Sequence, residues 1–360
     1  MEFSAAVIAV TGFLFISFIL STAVGFTEDF IALSNLQRKS PTAGLCASVI
    51  EPSGFPCSEH ITQTKDGYVL GLQRVSSSSG TVQPRGSPVL LIHGLFMKFW
   101  DWSWQELALY DLGEMIRYIY SVTNSKVFVV GHSQGTIMSL AAFTQPDIVK
   151  MVEAAALLCP ISYLEHITAQ FVLRLVKLHL DEVILTMGIH ELNFKSNLGT
   201  RIMDMMCDGH VECGDLLTSI TGKNCCFNNS RIDSYLEFEP HPTSSKNLHH
   251  LFQMIRKGTF AMYDYGMWKN MRYYSQLEPP VFELSSIPSS LPIWMGYGGN
   301  DALADVSDVK HTLKDLPSKP NLLYLENYGH IDFLLSVKSK EDVYDSMLAF
   351  FSSLGRSSSY

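Results

Sequence analysis

Gly131-His132-Ser133-Gln134-Gly135 sets a serine between two glycines, directly after the apolar run Lys126-Val-Phe-Val-Val130. A serine hydroxyl is a poor nucleophile until a base takes its proton, and that base needs an acid to orient it. On a sharp strand-to-helix turn the hydroxyl stands clear of the sheet, and the two glycines let strand and helix pass close together. The alternative is a turn serine with no chemistry; the strand before the pentapeptide and the helix after it favour the nucleophile. In this arrangement the chain order is serine, acid, histidine. Two later apolar runs end in such groups: Pro292 to Tyr297 leads into Gly298-Gly-Asn-Asp301, and Asn321 to Leu325 into Asn327-Tyr-Gly-His330. Asp301 as orienter and His330 as general base is the economical assignment. His311 is a rival base, but it shares a helix with the apolar face Val306, Val309, Leu313 and Leu316, so it reads as a solvated surface residue. Asp305 and Asp332 are rival acids, each read as a cap or surface charge. For the oxyanion of a tetrahedral intermediate, the backbone N–H of Gln134 is one donor and that of Leu95, after His93-Gly94, is the other. A simple strand-ending turn is the alternative for His93-Gly94.

The elements that would hold these groups alternate. His60 to Thr64 and Tyr68 to Val75 flank Asp66-Gly67 and predict a hairpin. Pro88 to Gly94 and Lys126 to Val130 read as buried parallel strands. Ser103-x-x-Glu106 is a capping box opening a helix with apolar residues at Trp104, Ala108, Leu112, Met115, Ile116 and Ile119. Thr136 to Phe143 is a second helix. Met151 to Leu158 reads as a third strand, although its alanine run would also suit a helix. Strand and helix in alternation predict an α/β fold with a mostly parallel, doubly wound sheet. Residues 160–284 break the rhythm. They are helical, with no clear buried strand, and read as a cap inserted over the strand ends. The histidines His190, His210, His249 and His250 read as ordinary residues of that cap. The core is then assigned to residues 26–159 and 285–360, and the last helix to about Lys340–Phe351.

Composition narrows the chemistry further. Hydrophobic residues make up 47% and charged residues 17% of the 360, with a formal net charge of −9. This excludes a disordered chain and a coiled coil, and a chain of that sign gets no help from phosphate, so no nucleic-acid partner is expected. Residues 5 to 20 carry no charge, and Ala23-x-Gly25 follows with small residues. Residues 1–25 therefore read as a secretory signal cut after Gly25, although Glu2 stands where a Lys or Arg is usual; an uncleaved anchor is the alternative. No integral membrane span is expected in the mature chain. On the secretory route some of the seven cysteines should pair, and the odd count leaves at least one free. Cys46 and Cys57 make a plausible small loop; Cys207, Cys213, Cys225 and Cys226 form a second group. No spacing supports a metal site, and Asn228-Asn229-Ser230 is a glycosylation sequon.

These residues, in this order, resemble an α/β-hydrolase. More narrowly, the chain resembles the acid lipase family that includes gastric and lysosomal acid lipases and their plant relatives. The likeness runs from Gly44-Leu-Cys-Ala and Thr64-Lys-Asp-Gly-Tyr-Val-Leu70 through Leu91-Ile-His-Gly-Leu95, Phe99-Trp-Asp-Trp-Ser-Trp104 and the serine pentapeptide. It continues through Phe227-Asn-Asn-Ser-Arg231 and Tyr263-Asp-Tyr-Gly266 to Gly299-Asn-Asp301 and Tyr328-Gly-His330. The resemblance implies a serine lipase acting on neutral lipids, triacylglycerol or sterol ester, at a lipid aggregate surface, secreted or lysosomal/vacuolar, with no cofactor. One departure stands out. Met97 is followed at once by Lys98-Phe-Trp100, where the family carries a helix, a strand and a long loop, so roughly 50 residues are missing. That predicts a gap beside the strand before Gly94 and leaves an impaired lipid-binding pseudoenzyme or shortened isoform, or a secreted esterase of other specificity, as alternatives.

Overall fold

The computed structural model describes residues 44–76, 87–92, 101–193, 216–226 and 242–355. The expectations for residues 1–25, His93 to Leu95, Cys207, His210, Cys213 and Asn228 fall outside them. The described residues gather in two compact units: a small one of residues 44–60 and 73–76, and a large one of the rest. In the small unit Cys46 and Cys57 are joined as a disulfide. The Glu59 carboxylate accepts the Cys46 N–H at 3.0 Å and the Gln73 amide at 2.7 Å.

Strands β1 (Cys57–Gln63) and β2 (Val69–Val75) make a two-stranded sheet of their own. They are closed by a turn in which Gly67 takes φ 96°, a value open to glycine. The main sheet is built from β3 (Val89–Ile92), β4 (Val127–His132), β5 (Val152–Leu158), β8 (Ile293–Gly298) and β9 (Asn321–Leu325), in the order β3-β4-β5-β8-β9, every pair parallel. All six residues of β4 are buried, which a strand covered on both faces requires and which explains its unbroken apolar run. The alanines of β5 lie fully buried between β4 and β8. Position in the sheet decides their state, against their helical propensity. β3 and β9 are the two edge strands among those described, and Leu91 on β3 is 74% exposed.

Helix α1 begins at Ser103, whose backbone N–H and hydroxyl both donate to the Glu106 carboxylate at 2.7 and 2.8 Å. It runs through Trp104–Glu106, a π-helical stretch Leu107–Leu112 and Gly113–Thr123. Helix α2 (Gln134–Phe143) follows β4 and is buried along its whole length. Between β5 and β8 lie five α-helices among the described residues, α3 (Gln170–Lys177), α4 (Leu180–Thr186), α5 (Leu216–Thr221), α6 (Ser245–Lys257) and α7 (Met267–Tyr274), and a 3-10 turn at Leu284–Ser286. A two-residue antiparallel pair, β6 (Glu191–Leu192) with β7 (Thr243–Ser244), is too short to leave a period in the sequence. Helices α8 (Val306–Asp315), α9 (Asp332–Leu335) and α10 (Asp345–Gly355) complete the chain.

One aromatic stack ties α1 to the insertion. Trp104, fully buried, lies 4.4 Å from the ring of His250 at an interplanar angle of 14°, with Phe260 and Phe282 behind it. Burial drives the His250 pKa down to about 3. His249 and Lys246 push the same way, while the hydrogen bond to the Ala261 carbonyl opposes them. An unfolded histidine titrates near 6.5. Below that pH the unfolded chain gains a proton that the folded one refuses until about pH 3. This group therefore lowers stability as pH falls through that window, by up to about 1.4 kcal/mol per pH unit. His250→Phe keeps the stacked ring and removes the titration. Thermal unfolding followed from about pH 7 to about pH 4 should show a shallower loss of Tm in the variant; parallel curves would discard this origin of acid lability.

Candidate active site

The geometry starts at the turn between β4 and α2. Ser133 takes φ 55° and ψ −120°, a conformation that costs a non-glycine residue of order 1–3 kcal/mol. It is over-determined by its bonds. The Ser133 N–H donates to the Leu158 carbonyl at 3.1 Å, and the Ser133 carbonyl accepts from the backbone N–H and the hydroxyl of Thr136 at 2.8 and 2.6 Å. The glycines make the turn possible by close approach: a Cβ on Gly131 would sit 2.7 Å from the Gly135 carbonyl oxygen. Gln134 is buried in the first turn of α2, and its side-chain oxygen accepts from Asn247 of α6 at 2.7 Å.

Asp301 and His330 meet because the loops after β8 and β9 are stitched together. Gly299 N–H donates to the Leu325 carbonyl and Asn300 N–H to the Tyr328 carbonyl, both at 3.0 Å. A Cβ on Gly298 would lie 2.1 Å from that Tyr328 oxygen. His330 Nδ1 then faces both Asp301 oxygens, at 3.0 and 2.9 Å, with both residues buried. Burial alone would raise the Asp301 pKa, but the His330 ring beside it and the N–H groups of Ala304 and Leu303 outweigh burial and lower it. The carboxylate is therefore ionised and oriented.

The peptide of His330 is held from every side. Its N–H donates to the Thr221 carbonyl at 3.0 Å. Its carbonyl accepts from His132 Nε2 at 3.0 Å and from the Cys159 thiol at 3.3 Å. A carbonyl can only accept, so His132 carries its proton on Nε2. Burial, with His330 alongside, drives the His132 pKa down to about 3 and keeps the ring neutral. Burial, then Asp301 and Asp332, pushes the Cys159 thiol well up. Among the described residues His132, Cys159 and His330 offer ligand-type atoms within 4.8 Å of one another. Two of the three converge on one carbonyl as donors, so hydrogen bonding accounts for the cluster.

The rival groups sit elsewhere. His311 stacks on Tyr163 at 3.9 Å and lies 3.4 Å from Asp315. Asp305 caps α8 through the Ser307 N–H at 2.7 Å. His249 pairs with the buried Asp181 at 2.6 Å. Asp332 is fully buried and accepts three backbone N–H groups: Gly329 and Cys225 at 2.8 Å each, and Cys226 at 3.2 Å. Residues 221–226 thus form a strap along the histidine loop. No local motif in the sequence points to this contact. His132 was visible inside the pentapeptide, but nothing there indicated that its ring would bond to His330.

The chain matches the family described as "Partial alpha/beta-hydrolase lipase region" over residues 46–106. It is 54% identical to "Triacylglycerol lipase 1" of Arabidopsis thaliana over an alignment of 374 positions, covering 91% of this chain and 95% of that protein. It is 27% identical to "Gastric triacylglycerol lipase" of Rattus norvegicus, covering 82% of this chain and 88% of the other. An alignment of 374 positions that uses 91% of 360 residues leaves roughly 46 positions filled only in the Arabidopsis protein. Among solved structures, a thermostable carboxyl esterase from Bacillus coagulans superposes with a TM-score of 0.51 at 12% identity, over 83% of this chain and 98% of that one.

Proposed function

The chain belongs to the acid lipase family of the α/β-hydrolase superfamily and is a carboxylic ester hydrolase, and from that premise we propose that it cleaves neutral-lipid esters, triacylglycerol or sterol ester, through a serine acyl-enzyme. The observation that carries this reading is the buried Asp301–His330 pair, tied by the 3.0 Å bond from His132 to the His330 carbonyl to the strained strand-to-helix turn that holds Ser133. Ser133 attacks the ester carbonyl while His330 takes its proton, and Asp301 holds the imidazole in the tautomer that can accept it. The N–H groups of Gln134 and Leu95 hold the oxyanion. The His330 proton then goes to the leaving alcohol, and water repeats the sequence on the acyl-enzyme. No cofactor enters.

In this reading residues 160–284 are the cap that selects the acyl and alcohol groups. Residues 1–25 are the signal that sends the protein to the exterior or to a lysosome or vacuole, and Asn228 carries glycan. No helix among the described residues is long and apolar enough to cross a membrane, and the partner proposed is a lipid aggregate surface. Labelling with a fluorophosphonate probe tests the nucleophile: the wild-type chain should label, and Ser133→Ala should not. Equal labelling of the two would discard the assignment.

The roughly 46 unfilled alignment positions and the exposed edge at β3 support a second reading, an impaired lipid-binding form. It predicts lipid binding without turnover of a short-chain nitrophenyl ester. Robust turnover of that ester by purified protein removes it.

A further inference from the structure

We propose that Asp332 is a positioning residue for the catalytic histidine, acting as the clasp between the histidine loop and the strap of residues 221–226; this rests on the serine-esterase reading above. The strap touches both proposed triad loops. The Thr221 carbonyl accepts the His330 N–H at 3.0 Å and the Ala302 N–H at 3.5 Å. Gly222 makes an antiparallel bridge to Asp301, and a Cβ there would fall 1.9 Å from the Asn300 oxygen. Asn224 accepts the Ile331 N–H at 3.3 Å, and Cys226 accepts the Val337 N–H at 3.0 Å.

Thr221 and Asn224 each offer a single acceptor to the histidine loop. The clasp differs in kind. Three amide N–H groups converge on the Asp332 side chain, two from Cys225 and Cys226, which are joined to each other, and one from Gly329, next to the catalytic base. Only a group that accepts at two oxygens and donates at neither satisfies that set. An alanine would leave three donors without their acceptor; an asparagine would turn an NH₂ toward one of them. Either change loosens the strap, and with it the one hydrogen bond that fixes the backbone N–H of His330. The imidazole would then wander relative to the serine, and misplacement by about 1 Å can cost on the order of 10²-fold in rate. Asp332 touches no reacting atom in this scheme. Its work is to hold the strap whose Thr221 carbonyl fixes the His330 N–H, while His132 and Cys159 hold the His330 carbonyl and Asp301 holds the imidazole.

The test uses the full chain with its disulfides. Active sites are counted by exhaustive fluorophosphonate labelling, and kcat and KM for a water-soluble short-chain ester are measured per counted site. Asp332→Ala should lower kcat on the order of 10²-fold with KM changed less than about twofold. It should also broaden the downfield proton resonance of the His330–Asp301 hydrogen bond. Asn224→Ala, on a half-buried residue, should move the same quantities in the same sense and less far. A merely structural role would lower the number of labelled sites and leave kcat per site and the resonance alone. That result, in both variants, overturns the proposal. If Asp332→Ala is not recovered folded, Asn224→Ala decides by the same criterion. A wild-type chain that fails to label overturns the serine-esterase reading instead.

Discussion

Replacing Ser133 by alanine is expected to lower kcat on a soluble ester by on the order of 10⁴–10⁶-fold, and the Ser133→Ala/His330→Ala double variant should be no slower than the worse of the two single variants. Nucleophile and base act as one unit, because a base with no hydroxyl to deprotonate contributes nothing, and a hydroxyl with no base is barely nucleophilic at neutral pH. The three site residues come from three separate strand ends, after β4, β8 and β9, so neither truncation removes the frame of the others. Ser133→Ala should leave stability nearly unchanged. The position stays at φ 55° in either variant, so the backbone strain is not relieved, and stability should change by less than about 1 kcal/mol. Steady-state kinetics with thermal unfolding of the three variants checks both parts. Additive losses in the double variant would mean that serine and histidine serve different steps.

The parts of this architecture that could be read in the sequence are those with a local cause. β4 and α2 show as an apolar run, a glycine-flanked serine and a helix, and at that junction Gly131 and Gly135 pass too close for a Cβ on Gly131. The strand ends before Asp301 and His330 show for the same reason, as short apolar runs that stop at glycine-containing loops. The strap does not show, because its causes are remote. Asp332 meets Cys225 and Cys226 across 107 and 106 residues of chain. A lone aspartate beside a histidine carries no periodicity, so it read as a cap or surface charge. Its actual surroundings, three converging N–H groups in the interior, exist only once the insertion has folded back onto the β9 loop. The alanine run of β5 was ambiguous for a different reason: its propensity favours helix, and only the two neighbouring strands settle it.

The discrimination among Asp301, Asp305 and Asp332 as acid gives the second large effect. Asp301→Asn is expected to lower kcat by on the order of 10⁴-fold, for a reason that the hydrogen bonds dictate. Asp301 Oδ1 accepts the Leu303 and Ala304 N–H groups at 2.9 and 2.8 Å. In the variant the amide oxygen must take that place, because an NH₂ cannot accept. The NH₂ then occupies the position of Oδ2, 2.9 Å from His330 Nδ1, and donates to it. That favours the imidazole proton on Nε2, the atom that has to accept the Ser133 proton, so the base is impaired by its tautomer rather than by misplacement. Fold and ester binding should survive, and KM should stay close to that of the wild type. Asp305→Asn is the matched control. Its carboxylate caps the Ser307 N–H, asparagine caps as well as aspartate, and kcat should be unchanged. The kcat of the two asparagine variants, measured side by side with folding checked by thermal unfolding, decides. A large loss in Asp305→Asn with little in Asp301→Asn would transfer the role of acid to α8. Equal small losses would mean that the histidine keeps its working tautomer without a carboxylate.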